Sequence, residues 1–165
     1  MTARATADLA EELAGGVARE LAAGSAAGRS GIVGIGIDAV DLARFRTVLT
    51  RRPRLVGRLF TEGERAYADL AADPLPRLAT RFAAKEAVMK ALGVGLWSFR
   101  LTDVEVARHG LGAPGLVLRD GAADLAATRG AARWHLSLTH TDTVAMAVVV
   151  AERSPDAGSA RSSGA

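Results

Sequence analysis

Hydrophobic and polar positions alternate most clearly in Ile32-Val33-Gly34-Ile35-Gly36-Ile37-Asp38. Val33, Ile35 and Ile37 share one face of a strand, and Gly34, Gly36 and Asp38 share the other. Ahead of this strand, Leu9, Leu13, Val17 and Leu21 recur at four-residue intervals. That spacing predicts an amphipathic helix ending near Gly24, with a small-residue linker over 24–30. After Asp38, the positions of Val40, Phe45 and Val48 predict a helix. Thr61 and Glu64 have the spacing of a capping box and place a helix start near Glu62. Asp73-Pro74 punctuates the chain, and a long helix from about Leu75 to Leu92 stops at Gly93.

The second half holds four short strands, over 102–107, 115–118, 134–138 and 143–150. A helix over 120–128, closed by Gly130, separates the second strand from the third. The last two strands, joined by Thr139-His140-Thr141-Asp142, form a hairpin. The order strand, helices, strand, strand, helix, strand, strand predicts an α+β fold. It is a single domain with a mostly antiparallel sheet and a long helix packed on it. The predicted domain spans 31–153. It lies between an N-terminal helical extension and linker over 1–30 and a Ser/Gly/Ala-rich disordered tail over 154–165.

Composition narrows the function classes. The chain has 165 residues, 49% of them hydrophobic, which suits one packed core. It has no cysteine, which excludes disulfides, a thiolate zinc site and a cysteine nucleophile. No apolar run approaches the ~20 residues of a membrane span. Asp8, Glu11, Glu12 and Glu20 break any secretory or transit pattern at the N-terminus, so a cytoplasmic protein without a membrane partner is expected. The net charge of +3 and pI near 10.1 suit a nucleic acid, an acidic protein or a polyphosphate cofactor alike. Four Phe, two Trp and one Tyr leave few platforms for stacking bases. Of 21 basic residues, 19 are arginine; the two lysines, Lys85 and Lys90, both fall in the long predicted helix. A compact, rotatable ammonium is a different tool from a planar guanidinium.

Three places can carry chemistry. Glycines beside Asp38 allow a helix or backbone to approach closely, with the carboxylate at the edge of the contact; Asp38 also suits a helix N-cap. In Arg81-Phe-Ala-Ala-Lys85-Glu86-Ala-Val-Met-Lys90, Glu86 and Lys90 are neighbours on one helix face, and so are Arg81 and Lys85. Two surface ion pairs account for that spacing. So does a magnesium site, which needs only one or two carboxylates besides water and substrate phosphates. In that case Lys90 balances charge on a leaving phosphate, and Gly93 and Gly95 let phosphates approach the backbone. Finally, His140 ends an apolar strand face between Thr139 and Thr141, either as an exposed turn residue or as a phosphate or ribose contact. No Walker-type loop, zinc-protease, hydrolase-elbow or dinucleotide motif is present.

Together, Gly34-Ile-Gly-Ile-Asp38, Arg81-Phe-Ala-Ala-Lys-Glu-Ala87 and Ser137-Leu-Thr-His-Thr141 resemble the holo-acyl-carrier-protein synthase family of 4'-phosphopantetheinyl transferases, over roughly residues 32–152. The resemblance implies transfer of 4'-phosphopantetheine from coenzyme A to a serine of an apo acyl carrier protein, of fatty-acid or polyketide type. It implies magnesium held by Asp38 and Glu86, with Glu86 and Lys90 as catalytic residues. Arg81, Lys85, Lys90, Gly93 and His140 then form the coenzyme A set, and Arg44, Arg51 and Arg54 meet the acidic carrier. A homotrimer with active sites between subunits is also implied, with no nucleic acid as partner. Two departures stand out: Ala113-Pro114 replaces the usual Lys-Pro, and Gly95-Leu-Trp97-Ser-Phe99 differs from the usual glycine-rich stretch.

Overall fold

A computed structural model describes residues 31–96, 98–108 and 112–154. The predicted N-terminal helix and C-terminal tail lie outside these residues. The elements are β1 (Ile32–Asp41), α1 (Leu42–Arg51), α2 (Leu55–Leu59), α3 (Glu62–Asp69), α4 (Leu75–Ala91), a 3-10 turn (Leu101–Asp103), β2 (Val104–Arg108), β3 (Pro114–Leu118), α5 (Asp120–Thr128), β4 (Arg133–His140) and β5 (Val144–Glu152). The α+β expectation holds. Strands β1, β5 and β4 form one antiparallel sheet in that order, and β2 and β3 pair as a separate antiparallel hairpin. No described helix is long and apolar enough to cross a membrane.

The long helix α4 lies on the β1–β5–β4 sheet, and its seam with β1 and β5 is built of small residues around one fully buried valine, Val149. Ala83, Ala84 and Ala87 on α4, and Ala145 and Ala151 on β5, are fully buried. Gly34 and Gly36 of β1 bring the backbones together. A Cβ added at Gly36 would come within 2.7 Å of the Ala87 carbonyl carbon and 2.8 Å of the Ala91 nitrogen. A Cβ at Gly34 would stand 3.0 Å from the Ala91 carbonyl carbon. The glycine face is therefore the helix-facing side, as its sequence suggested. The other side of the sheet carries Ile35 and Ile37, paired with Val150 and Val148 and flanked by Met146. Those five side chains are all partly exposed, a wide apolar surface for a sheet face.

Two sequence expectations are corrected. Strand β1 runs on through Asp41, and Asp41 is the N-cap of α1, accepting the Arg44 backbone N–H at 2.7 Å. Asp38 is thus not a cap; it sits inside the strand. The short helix α2 was not expected, because five residues following Pro53 carry too little periodicity to announce it. The capping box of α3 is present as read: the Glu64 backbone N–H donates to Thr61 Oγ1 at 3.2 Å, and the Thr61 backbone N–H donates to Glu64 Oε2 at 3.0 Å. Helix α4 stops where Gly93 adopts φ +66°, a conformation glycine accepts without strain.

Candidate active site

Strand β1 and helix α4 place Asp38 and Glu86 on a common cleft of about 900 Å³. Asp38 follows Gly34 and Gly36 on the helix-facing side, so the close approach of α4 brings the carboxylate up to the helix. Glu86 lies one residue before Ala87, on the flank of α4 that opens to the cleft. Lys90, one turn on, sets its ammonium 3.2 Å from Asp38 Oδ1. Arg44 and Arg52 also line the cleft, with apolar Phe45, Phe82 and Leu96. Phe45 stacks on Phe82 at 5.3 Å between ring centroids, fixing α1 against α4 on that side.

The electrostatics of the pair favour a cation. Burial, and then the neighbouring Asp38 carboxylate, push the Glu86 pKa up to about 7, with Lys90 acting the other way. Two carboxylates that repel each other in a half-buried cleft are relieved by a divalent ion between them. No group of three or more His, Cys, Asp or Glu side chains able to hold a metal occurs among the described residues. That donor set does not suit zinc; two hard oxygen donors beside an open cleft suit magnesium, which completes its shell with water and phosphate.

Lys85, expected among the coenzyme A residues, does not line this cleft. Its ammonium is fully buried and meets three acceptors: Glu64 Oε2 at 2.8 Å, the Leu101 carbonyl at 2.8 Å and the Val104 carbonyl at 2.6 Å. An ammonium has three N–H donors, and here each finds a partner. Burial pulls the Lys85 pKa down while the Glu64 carboxylate opposes that shift. Glu64 in turn accepts the Val106 backbone N–H through Oε1 at 3.0 Å. Lys85 and Glu64 therefore tie α4, α3, the 3-10 turn and β2 together. The sequence showed Glu64 only as half of a capping box.

Arg81 shares the Lys85 side of α4 and is 4% exposed. Its guanidinium lies 4.3 Å from the centre of the Tyr67 ring, and it donates to the Arg77 carbonyl at 3.0 Å. Arg77 and Arg108 approach the same ring. Arg81 Nε is buried with no hydrogen-bond partner among the described residues, and burial lowers the Arg81 pKa. His140 is exposed at the end of β4, on the rung of Ala145 and Val40, two strands from β1. Thr141 braces the turn by accepting the Val144 backbone N–H at 3.2 Å. The chain thus assembles Asp38, Glu86 and Lys90 itself and keeps Arg81 and His140 apart from them.

Arg44, Arg51 and Arg54 are all exposed along α1 and the turn after it. Arg51 and Arg54, with Arg52 and Arg58, line a second groove of about 540 Å³, and Arg52 and Leu55 border both the groove and the cleft. Arg58 was missed in the sequence because it stands outside the Arg51-Arg-Pro-Arg54 cluster.

Residues 34–149 match the model of the 4'-phosphopantetheinyl transferase superfamily. The chain is 50% identical over 122 residues to the holo-[acyl-carrier-protein] synthase of Beutenbergia cavernae, covering 74% of this chain and 99% of the relative. It is 47% identical over 125 residues to that of Anaeromyxobacter dehalogenans, covering 73% and 96%. Among solved structures, it is similar to the holo-[acyl-carrier-protein] synthase of Neisseria meningitidis (TM-score 0.68, 31% identity, 74% of this chain and 99% of that one). It is also similar to that of Bacillus anthracis in complex with CoA (3',5'-ADP) (TM-score 0.62, 35% identity, 74% and 98%).

Proposed function

This chain belongs to the 4'-phosphopantetheinyl transferase superfamily, among the holo-[acyl-carrier-protein] synthases, and from that premise we propose how it works. It transfers 4'-phosphopantetheine from coenzyme A to a serine of an apo acyl carrier protein in the cytoplasm, releasing 3',5'-ADP. The observation that carries this reading is the cleft in which Asp38 and Glu86 face a common space, with Lys90 beside them. The Bacillus anthracis relative, described with CoA, supports the choice of donor.

In the proposed reaction, the carrier serine Oγ forms a bond to the β-phosphorus of coenzyme A. The pyrophosphate P–O bond breaks, and its electron pair leaves with 3',5'-ADP. The serine proton passes to Glu86 or to a water that Glu86 orients. Lys90 balances the charge gathering on the departing phosphate. Asp38 and Glu86 would hold magnesium, which neutralises and orients the pyrophosphate when bound. Catalysis then consists chiefly of positioning and charge neutralisation. Gly93, at the end of the same helix, permits a phosphate to approach the backbone.

Arg44, Arg51 and Arg54 are proposed to dock the acidic carrier, of fatty-acid or polyketide type, beside the cleft mouth. The apolar sheet face with Ile35, Ile37, Met146, Val148 and Val150 supports assembly with further copies, in a homotrimer. In that arrangement Arg81 and His140 serve a coenzyme site completed between subunits. The test is incubation with apo carrier protein, coenzyme A and magnesium, followed by mass measurement of the carrier. A phosphopantetheine adduct is expected; its absence on several carriers would overturn the proposal. A monomer mass by light scattering would remove the trimer alone.

A further inference from the structure

Lys90 and Asp38 form an ion pair of two unequal partners. The Asp38 side chain is 10% exposed and short, fixed to a strand held against α4. The Lys90 side chain is 43% exposed and carries its charge on four methylenes with solvent beside it. Asp38 cannot leave the cleft, whereas Lys90 swings away at little conformational cost. A divalent cation placed between Asp38 and Glu86 would meet an ammonium already seated at Asp38 Oδ1. The two positive charges compete for the same oxygen.

We infer that Lys90 acts as an internal competitor for the cation. It occupies Asp38 until the pyrophosphate of the coenzyme draws the ammonium away. The inference rests on the proposed assignment of Asp38 and Glu86 to magnesium. It gives Lys90 a task before the chemical step, distinct from balancing the leaving phosphate. Its consequence is coupling: the cation alone binds weakly, coenzyme A strengthens it, and by linkage the cation strengthens coenzyme A by the same factor. A side chain that only contacted phosphate would leave binding of the cation alone unchanged.

The test is a titration of the full chain with Mn²⁺ followed by electron paramagnetic resonance, with and without coenzyme A. In Lys90→Met, Mn²⁺ alone is expected to bind roughly tenfold tighter than in the wild type, while its enhancement by coenzyme A shrinks correspondingly. Lys90→Gln should behave likewise through a different side chain. Lys90→Arg, which keeps a cation, should stay near the wild type. Equal or weaker Mn²⁺ binding in both Lys90→Met and Lys90→Gln overturns the inference. Asp38→Asn separates the two levels. If it leaves Mn²⁺ binding intact, the carboxylate assignment fails and the inference with it. If it weakens Mn²⁺ while neutral variants of Lys90 do not tighten it, only the inference fails.

Discussion

Replacing Lys85 with methionine keeps the length of the side chain and removes its charge. The change removes the ammonium paired with Glu64, whose side chain is fully buried and is left with two backbone N–H donors and the nearby Arg81 guanidinium. It also leaves the Leu101 and Val104 carbonyls without their ammonium donor. Breaking one side of a buried ion pair costs about 3–5 kcal/mol, and unsatisfied buried acceptors about 1–3 kcal/mol each. Since the surroundings of Glu64 can relax, the expected loss is about 4 kcal/mol, a large share of the roughly 5–15 kcal/mol that holds a domain of this kind. Lys85→Arg should also destabilise, by about 2 kcal/mol or more, because a planar fork does not fit a closed three-acceptor pocket. Urea unfolding followed by circular dichroism measures both. Because Lys85 lies outside the cleft, the folded fraction of either variant should keep its KM for coenzyme A within about twofold, well under 1 kcal/mol. Either variant within 1 kcal/mol of wild type would refute the buried tie as described. A large rise in KM with stability intact would return Lys85 to the coenzyme site.

Further outcomes follow from the cleft and its scaffold. Lys90→Arg should fold normally yet lose at least about tenfold in turnover, since a planar guanidinium does not meet a departing phosphate oxygen as a compact ammonium does; unchanged steady-state kinetics would contradict this. Glu86→Gln should abolish most turnover at saturating magnesium. The same variant tests the raised Glu86 pKa. A carboxyl whose folded pKa lies above its unfolded value contributes stability that is full below about 4.5 and is lost as pH rises through about 7. Metal-free wild type should therefore lose on the order of 1–2 kcal/mol relative to Glu86→Gln across that window, after allowance for solvent screening of a half-buried group; parallel stability curves would argue against it. Asp41→Ala should cost about 1 kcal/mol by removing the α1 cap, whereas Asp38→Asn should remove no cap; equal losses of helix stability would reverse that assignment.

Much of the site was legible because its residues obey simple periodicities. Period two put Gly34, Gly36 and Asp38 on one face, and the glycines announced a close neighbour on that side. Helical spacing separated Glu86 and Lys90 from Arg81 and Lys85. Periodicity assigns residues to faces without saying what each face meets. Lys85 was therefore assigned to the coenzyme, because nothing local reveals that Glu64, Leu101 and Val104 close around it from three other elements. The Asp38 cap reading arose because the strand end is invisible in the pattern; the ladder with β5 carries β1 on to Asp41. The fate of the isoleucine face was equally hidden, since an apolar strand face reads the same whether it meets a core, a second copy or water.

The seam of glycine and alanine between β1, β5 and α4 has a consequence for heat. Glycine and alanine have no side-chain rotamers to lose or regain. Close backbone contact holds β1 to α4 there, so warming has few side chains to loosen ahead of the fold. The active geometry should persist as a unit to the edge of the melting transition, and activity and secondary structure should disappear over the same few degrees.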